Sequence, residues 1–232
     1  MSKTTSIGPL SIVSYISFTL IFFIIKGTFL PTTGPYWIII FFFITGLIQF
    51  INNLYLTSLP EICGEYNISN AFFATLIPWI FIFGITCLCL IMIPGWLRVF
   101  SNTFGASIAD MAGLGEVALL ILGTKNEQIS DFGTKKIIEL IYSNPHTIIN
   151  EVELNYDAVS GSWPSLEKVV TFLGNESLIG TDPYKENIAK LFKLLSLKED
   201  VGYFVWLVLI GSITILVSTN SVLITKCSTN SL

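Results

Sequence analysis

Ala71–Gly105 reads AFFATLIPWIFIFGITCLCLIMIPGWLRVFSNTFG, and from Ala71 to Ile93 it holds no charged residue. At about 1.5 Å per residue, such a run is long enough to cross a hydrocarbon core of roughly 30 Å. Pro78 removes one backbone donor inside the helix, and Gly84 thins it a little further on. In lipid such breaks persist only where a neighbouring helix or a polar side chain satisfies the freed carbonyl. The run ends at Pro94-Gly95-Trp96, where helix-ending residues meet a ring that favours the membrane interface. Arg98 then supplies a charge that belongs in headgroups or water. The stretch reads as a membrane helix with a marked exit.

Working outward, three further apolar runs have comparable character. Ile7–Ile25 is followed by Lys26 and lacks a small-residue cleavage pattern, so it reads as a retained helix rather than a signal peptide. The linker Gly27–Pro35, with two prolines and two glycines, is a turn. A second span follows at about residues 36–55, anchored by Tyr36 and Trp37 and ending in polar Gln49, Asn52 and Asn53. The last run is Val201–Ile224, where Gly211, Thr214 and Ser218 share a helix face that lets another helix approach closely. With 52% hydrophobic residues, 12% charged residues and a mean hydropathy of +0.72, the chain has about half the charge of a soluble domain.

The expected fold is therefore mainly α. It is a polytopic membrane protein with about four transmembrane helices, at about 7–25, 36–55, 71–93 and 201–224. Residues 1–95 form the first membrane region, 96–200 a small, mostly helical water-facing domain, and 201–232 the fourth helix and a short tail. Within the domain, Thr103–Leu122 is almost long enough to span. However, Asp110 and Glu116 would each cost about 2.5–3.5 kcal/mol at a bilayer centre, and three glycines add to that. It is expected at the membrane surface or in the domain. Lys135–Ser143, Ser165–Leu173 and Pro183–Leu197 read as amphipathic helices, the last opening with Asp182 as N-cap and able to continue into the final span. Thr147–Asn155 alternates as a short strand would. Basic residues near span ends (Lys26, Arg98, Lys185, Lys190, Lys193, Lys198) favour a cytoplasmic domain.

Little of the sequence suggests reactive chemistry. His146 is the only histidine, so a histidine-based metal site cannot be assembled. Gly113–Ala118 formally matches the dinucleotide pattern G-x-G-x-x-A, but the residues before it do not read as a buried strand. Glu151, Glu153 and Asp157 lack the spacing of a calcium loop and read as a solvated edge. Cys87 and Cys89 sit in the apolar run as small hydrophobes. Cys63 and Cys227 fall on one side of a four-span topology, which permits a bridge; palmitoylation of Cys227 is an alternative and unmodified thiols the simplest expectation. Asn67-Ile68-Ser69 and Asn175-Glu176-Ser177 match glycosylation sequons, the first close to a span and the second on the wrong side, so both are expected unmodified. No catalytic, cofactor-binding or metal residue is assigned, and a net charge of −4 without a basic stripe gives no reason to expect nucleic acid.

The segments Pro78–Gly84 (PWIFIFG), Pro94–Leu97 (PGWL) and Phe100–Gly105 (FSNTFG), with Asn53–Thr57 and Pro60–Gly64, carry a resemblance. The chain resembles a family of membrane proteins encoded by large icosahedral DNA viruses of the phycodnavirus and mimivirus-like groups. The resemblance covers the middle third of the chain and implies a non-enzymatic structural protein of the virion inner membrane, also present in host membranes during assembly. Implied partners are the lipid bilayer, other membrane or minor capsid proteins, and a possible homo-oligomer. On this reading Gly84, Gly211, Thr214 and Ser218 seat helices, while Pro78, Trp79, Pro94, Gly95, Trp96, Asn102, Phe104 and Gly105 form the motif surface. The alternative is a small oligomeric channel or membrane-permeabilising protein, which needs a wet stripe of which Gln49, Asn52 and Asn53 supply one end.

Overall fold

The computed structural model describes residues 7–29, 36–123, 132–145, 156–157 and 160–224. Among these the protein is mainly helical and has no strand beyond an isolated bridge between Asp157 and Ser162. Four helices are long and apolar enough to cross a membrane, so the chain is a polytopic membrane protein. Gly95–Met111 and Leu114–Leu122, bent by 80° where they meet, together pass the same test and would make a fifth, broken span. His146, Glu151, Glu153, Cys227 and the expected Thr147–Asn155 strand lie outside the described residues.

The chain divides into two compact units, Met1–Phe100 with Gly202–Leu232, and Ser101–Val201. The first contains α1 (Ile7–Phe29), α2 (Tyr36–Ser58), α3 (Ile68–Pro78), α4 (Ile85–Met92) and α5 (Pro94–Phe100). The last helix, α10 (Asp182–Ile224), contributes its later part to this unit and its earlier part to the other. The units meet along the chain at Phe100/Ser101 and at Val201/Gly202. Trp96 and Phe100 pack on Trp206, with centroids 5.7 and 4.9 Å away, and the Trp206 indole donates to the Trp96 carbonyl at 2.8 Å.

Several local features follow from single residues. α1 runs a turn past its apolar stretch, so Lys26 lies within the helix near its end instead of closing it. Lys26 is buried, its ammonium 4.9 Å from the Trp37 ring centroid, where a cation is attracted to the π face. Asn52–Asn70, which reads in sequence as a loop with Pro60 and Gly64, is helical at both ends: α2 continues to Ser58 and α3 starts at Ile68. Asn67, in the first sequon, caps α3 by accepting from the Asn70 N–H at 2.9 Å. After Pro78 the helix widens to π geometry over Trp79–Gly84, because proline supplies no N–H for the preceding turn.

The membrane unit buries its aromatic interior, including Phe41, Phe83, Trp37 and Trp79, while Ile40, Phe43, Leu47 and Ile77 face outward. Large apolar side chains on the outside are what a bilayer requires. The second unit adds α6 (Ala106–Met111), α7 (Leu114–Leu122), α8 (Phe132–Ser143) and α9 (Pro164–Phe172). Its core is centred on Trp163, fully buried among Leu114, Ile121, Leu166, Val170 and Ile188. Thr103–Leu122 thus supplies core residues to this unit, with Asp110 and Glu116 exposed. Gly113, at φ 97°, joins α6 to α7, so the formal dinucleotide pattern follows a helix rather than a strand.

Candidate functional site

Polar side chains inside membrane helices are expensive, so their positions show where a bundle is pinned or used. Thr45, Gln49, Asn53 and Thr57 recur every fourth residue along α2 and are all buried. Asn53 directs one amide nitrogen to Thr75 of α3 at 2.8 Å and to Ser218 of α10 at 2.7 Å. Gln49 donates to Asn53 Oδ1 at 3.1 Å, Ser218 at 3.3 Å and Thr219 at 3.4 Å. Five polar residues from three helices thereby share one cluster. Interhelical hydrogen bonds of this kind contribute on average about 0.6 kcal/mol each in a membrane.

About two turns towards the other end, α10 meets α1. Gly211 leaves room for the Tyr15 ring, and the Tyr15 hydroxyl donates to the Leu207 carbonyl at 2.8 Å. Thr214 is buried and returns its hydroxyl to Ile210 at 2.8 Å. The Gly211–Thr214–Ser218 face therefore packs within the chain, on α1 at one level and α2 at another. Gly46 does the same for Trp79, whose indole donates to the Phe42 carbonyl at 3.1 Å across the space a side chain would fill.

The motif residues divide by role. Trp79 is buried and bonded across helices, and Pro78 starts the π segment. At Gly84 an added Cβ would meet only ordinary contacts, and at Gly95 it would meet open space. Trp96 stacks on Trp206, whereas Asn102 and Phe104 are exposed in the second unit. Gly105 is buried against the backbone carbonyl of Lys198, leaving no room for a side chain. Pro94 begins α5. The motif is thus split between the units rather than gathered into one site.

A cavity of about 690 Å³ opens beside the polar cluster, between α1, α2 and α10. Tyr15, Phe18, Leu56 and Ile215 line its apolar wall, and Ser11, Ser14, Gln49, Asn52 and Glu61 its polar side. Asn52 donates to Ser11 at 3.2 Å across it. From Thr45 to Leu56 it follows α2 for about 16 Å, roughly half the thickness of a hydrocarbon core.

Elsewhere, Cys63 is disulfide-bonded, against the expectation of an unmodified thiol, while Cys87 and Cys89 are free. Asn175, in the second sequon, donates to the Leu122 carbonyl at 2.6 Å and to the Tyr142 hydroxyl at 3.3 Å. It finishes α7 from within the second unit. Burial raises the Tyr142 phenol above its ordinary pKa, and the Asn175 hydrogen bond opposes that in part. Among the described residues no cluster of histidine, cysteine and carboxylate side chains could hold a metal ion.

In sequence Gln49, Asn52 and Asn53 read as a polar tail, and nothing local singles out Tyr15, Gly46 or Thr75. The four-residue repeat Thr45-Gln49-Asn53-Thr57 was the available signal, since it marks one helix face. Comparison of the chain with protein-family models, with curated proteins and with solved structures finds no match.

Proposed function

We propose that this chain is a non-enzymatic structural protein of a membrane, acting in the inner membrane of a large DNA virus and linking it to the capsid layer. The observation that carries the structural role is the cluster of Gln49, Asn53, Thr75, Ser218 and Thr219, which spends its amide donors on holding helices together. A conduction path or proton relay needs polar groups left available to its cargo. The viral setting rests on the resemblance carried by Asn53–Thr57, Pro60–Gly64, Pro78–Gly84, Pro94–Leu97 and Phe100–Gly105. In this role the Ser101–Val201 unit meets capsid proteins, and the exposed Lys190 offers a point of cross-linking.

Cross-linking mass spectrometry on purified particles and infected-cell membranes tests the assignment. Links from Lys135, Lys136 or Lys190 to capsid proteins are the expected result. Absence of the protein from particles would remove the virion role. The cavity favours a second reading, a small oligomeric channel, because Ser11, Ser14, Gln49, Asn52 and Glu61 form a polar strip about one leaflet deep. Planar-bilayer recording separates the two: the structural role gives no reproducible unitary conductance.

A further inference from the structure

The cavity beside the polar cluster has unused hydrogen-bonding capacity in a place where water is scarce. Gln49 is only 4% exposed and lines the cavity. Its amide nitrogen is committed to Asn53, Ser218 and Thr219, but its Oε1 accepts no hydrogen bond among the described residues. Gln49 Oε1 is not among the fully buried unpaired side-chain atoms, so it stays accessible from the cavity and open to a donor there. Ser14 and Glu61, on the same cavity, also make no side-chain hydrogen bond among the described residues.

Three properties restrict the occupant. Leu10 and Ile48 line the cavity while strongly exposed on the outer face, so it opens sideways towards hydrocarbon and suits an occupant with an apolar body. About 690 Å³ lies within the range that takes a single compact ligand and is small for a two-chain phospholipid with its headgroup. The Glu61 carboxylate at the loop end repels a phosphate, and among the described residues no Lys or Arg lines the cavity to offset it.

We propose that this cavity binds one neutral lipid whose small polar end carries a hydroxyl, which donates to Gln49 Oε1. Sterols and acylglycerols share that chemistry. The hydroxyl completes the polar cluster, and the apolar body lies along Tyr15, Phe18 and Leu56. Binding of this kind needs only the membrane helices and is independent of the viral role.

The test uses the full chain in phosphatidylcholine nanodiscs with three photoactivatable probes: a diazirine sterol, a diazirine monoacylglycerol and a diazirine phosphatidylcholine. Saturable labelling by the sterol or the monoacylglycerol should map to residues 10–18 and 45–61, and whichever probe labels identifies the source. Ser14→Phe fills the cavity from an exposed position and should weaken that labelling about tenfold, equivalent to about 1.4 kcal/mol, with an unchanged melting temperature. Gln49→Met removes the acceptor and should weaken it similarly; because it also touches the cluster, Ser14→Phe remains the deciding variant. Labelling that does not saturate, that is as strong with phosphatidylcholine, or that survives Ser14→Phe overturns the proposal.

Discussion

Gly211→Ala puts two effects of opposite sign in competition. Replacing a glycine inside a helix should stabilise it by roughly 0.5–1 kcal/mol through backbone entropy. At Gly211 the new methyl would occupy the space held by the Tyr15 ring and hydroxyl. Tyr15 is 6% exposed and packed on Phe41, so its ring cannot simply swing away. Overpacking of this kind costs about 1–3 kcal/mol, and losing the Tyr15–Leu207 bond adds about 0.6–1.7 kcal/mol. Steric loss wins, leaving a net destabilisation of about 0.6–4 kcal/mol. Gly95→Ala is the control, since the same methyl meets open space there and only the helix gain remains. Denaturant titration in mixed micelles should therefore shift the two variants in opposite directions. A cycle with Tyr15→Leu isolates the contact: the double mutant should be more stable than the sum of the single effects implies. If Gly211→Ala is as stable as the parent, or the cycle is additive, the close helix approach at this point is wrong.

Three other outcomes follow from the same geometry. Asn53→Ala takes the Asn53 donor from Thr75, leaves Ser218 only the longer bond from Gln49 and removes the Asn53 acceptor of Gln49, and should destabilise the membrane unit by about 1–3 kcal/mol, read by the same titration. Gly105→Ala sets a methyl against the Lys198 backbone carbonyl, which cannot rotate aside, so amide exchange in Ser101–Val201 should accelerate; unchanged exchange would contradict the packing. Burial raises the folded pKa of Tyr142 above the unfolded value near 10. Its contribution is therefore fully present below about pH 10 and lost as pH rises beyond it, and Tyr142→Phe should show a weaker alkaline loss of near-ultraviolet circular dichroism.

The spans were legible because hydropathy and length depend only on local sequence, and Ala71–Ile93 can hardly satisfy its backbone in any way but as a helix. Asn67 was less legible: it stood out as a sequon expected to be unmodified, while its position before a helix made it a cap. Gly211 was visible as part of a small-residue face, but its partner Tyr15 lies 192 residues from Leu207 in sequence, and nothing local links them. Gly84 and Gly95 carried the same residue type without a close neighbour. A glycine in a membrane helix therefore shows where approach is allowed, and only the opposite helix shows whether approach occurs.

Gln49 and Asn53 make the same point about polar residues. Both are amides on one face of α2, four residues apart and almost fully buried. Asn53 donates to two other helices, and its carbonyl accepts from Gln49, so substituting it should be read as a loss of stability. Gln49 uses its nitrogen in the same cluster but keeps an acceptor on a lipid-facing cavity. Substituting it should affect both stability and occupancy, and only Ser14→Phe separates the two. In a bundle whose exterior is already apolar, specificity for a lipid requires just such an acceptor at the edge of a satisfied cluster. Stacked apolar contacts alone would bind any acyl chain equally well.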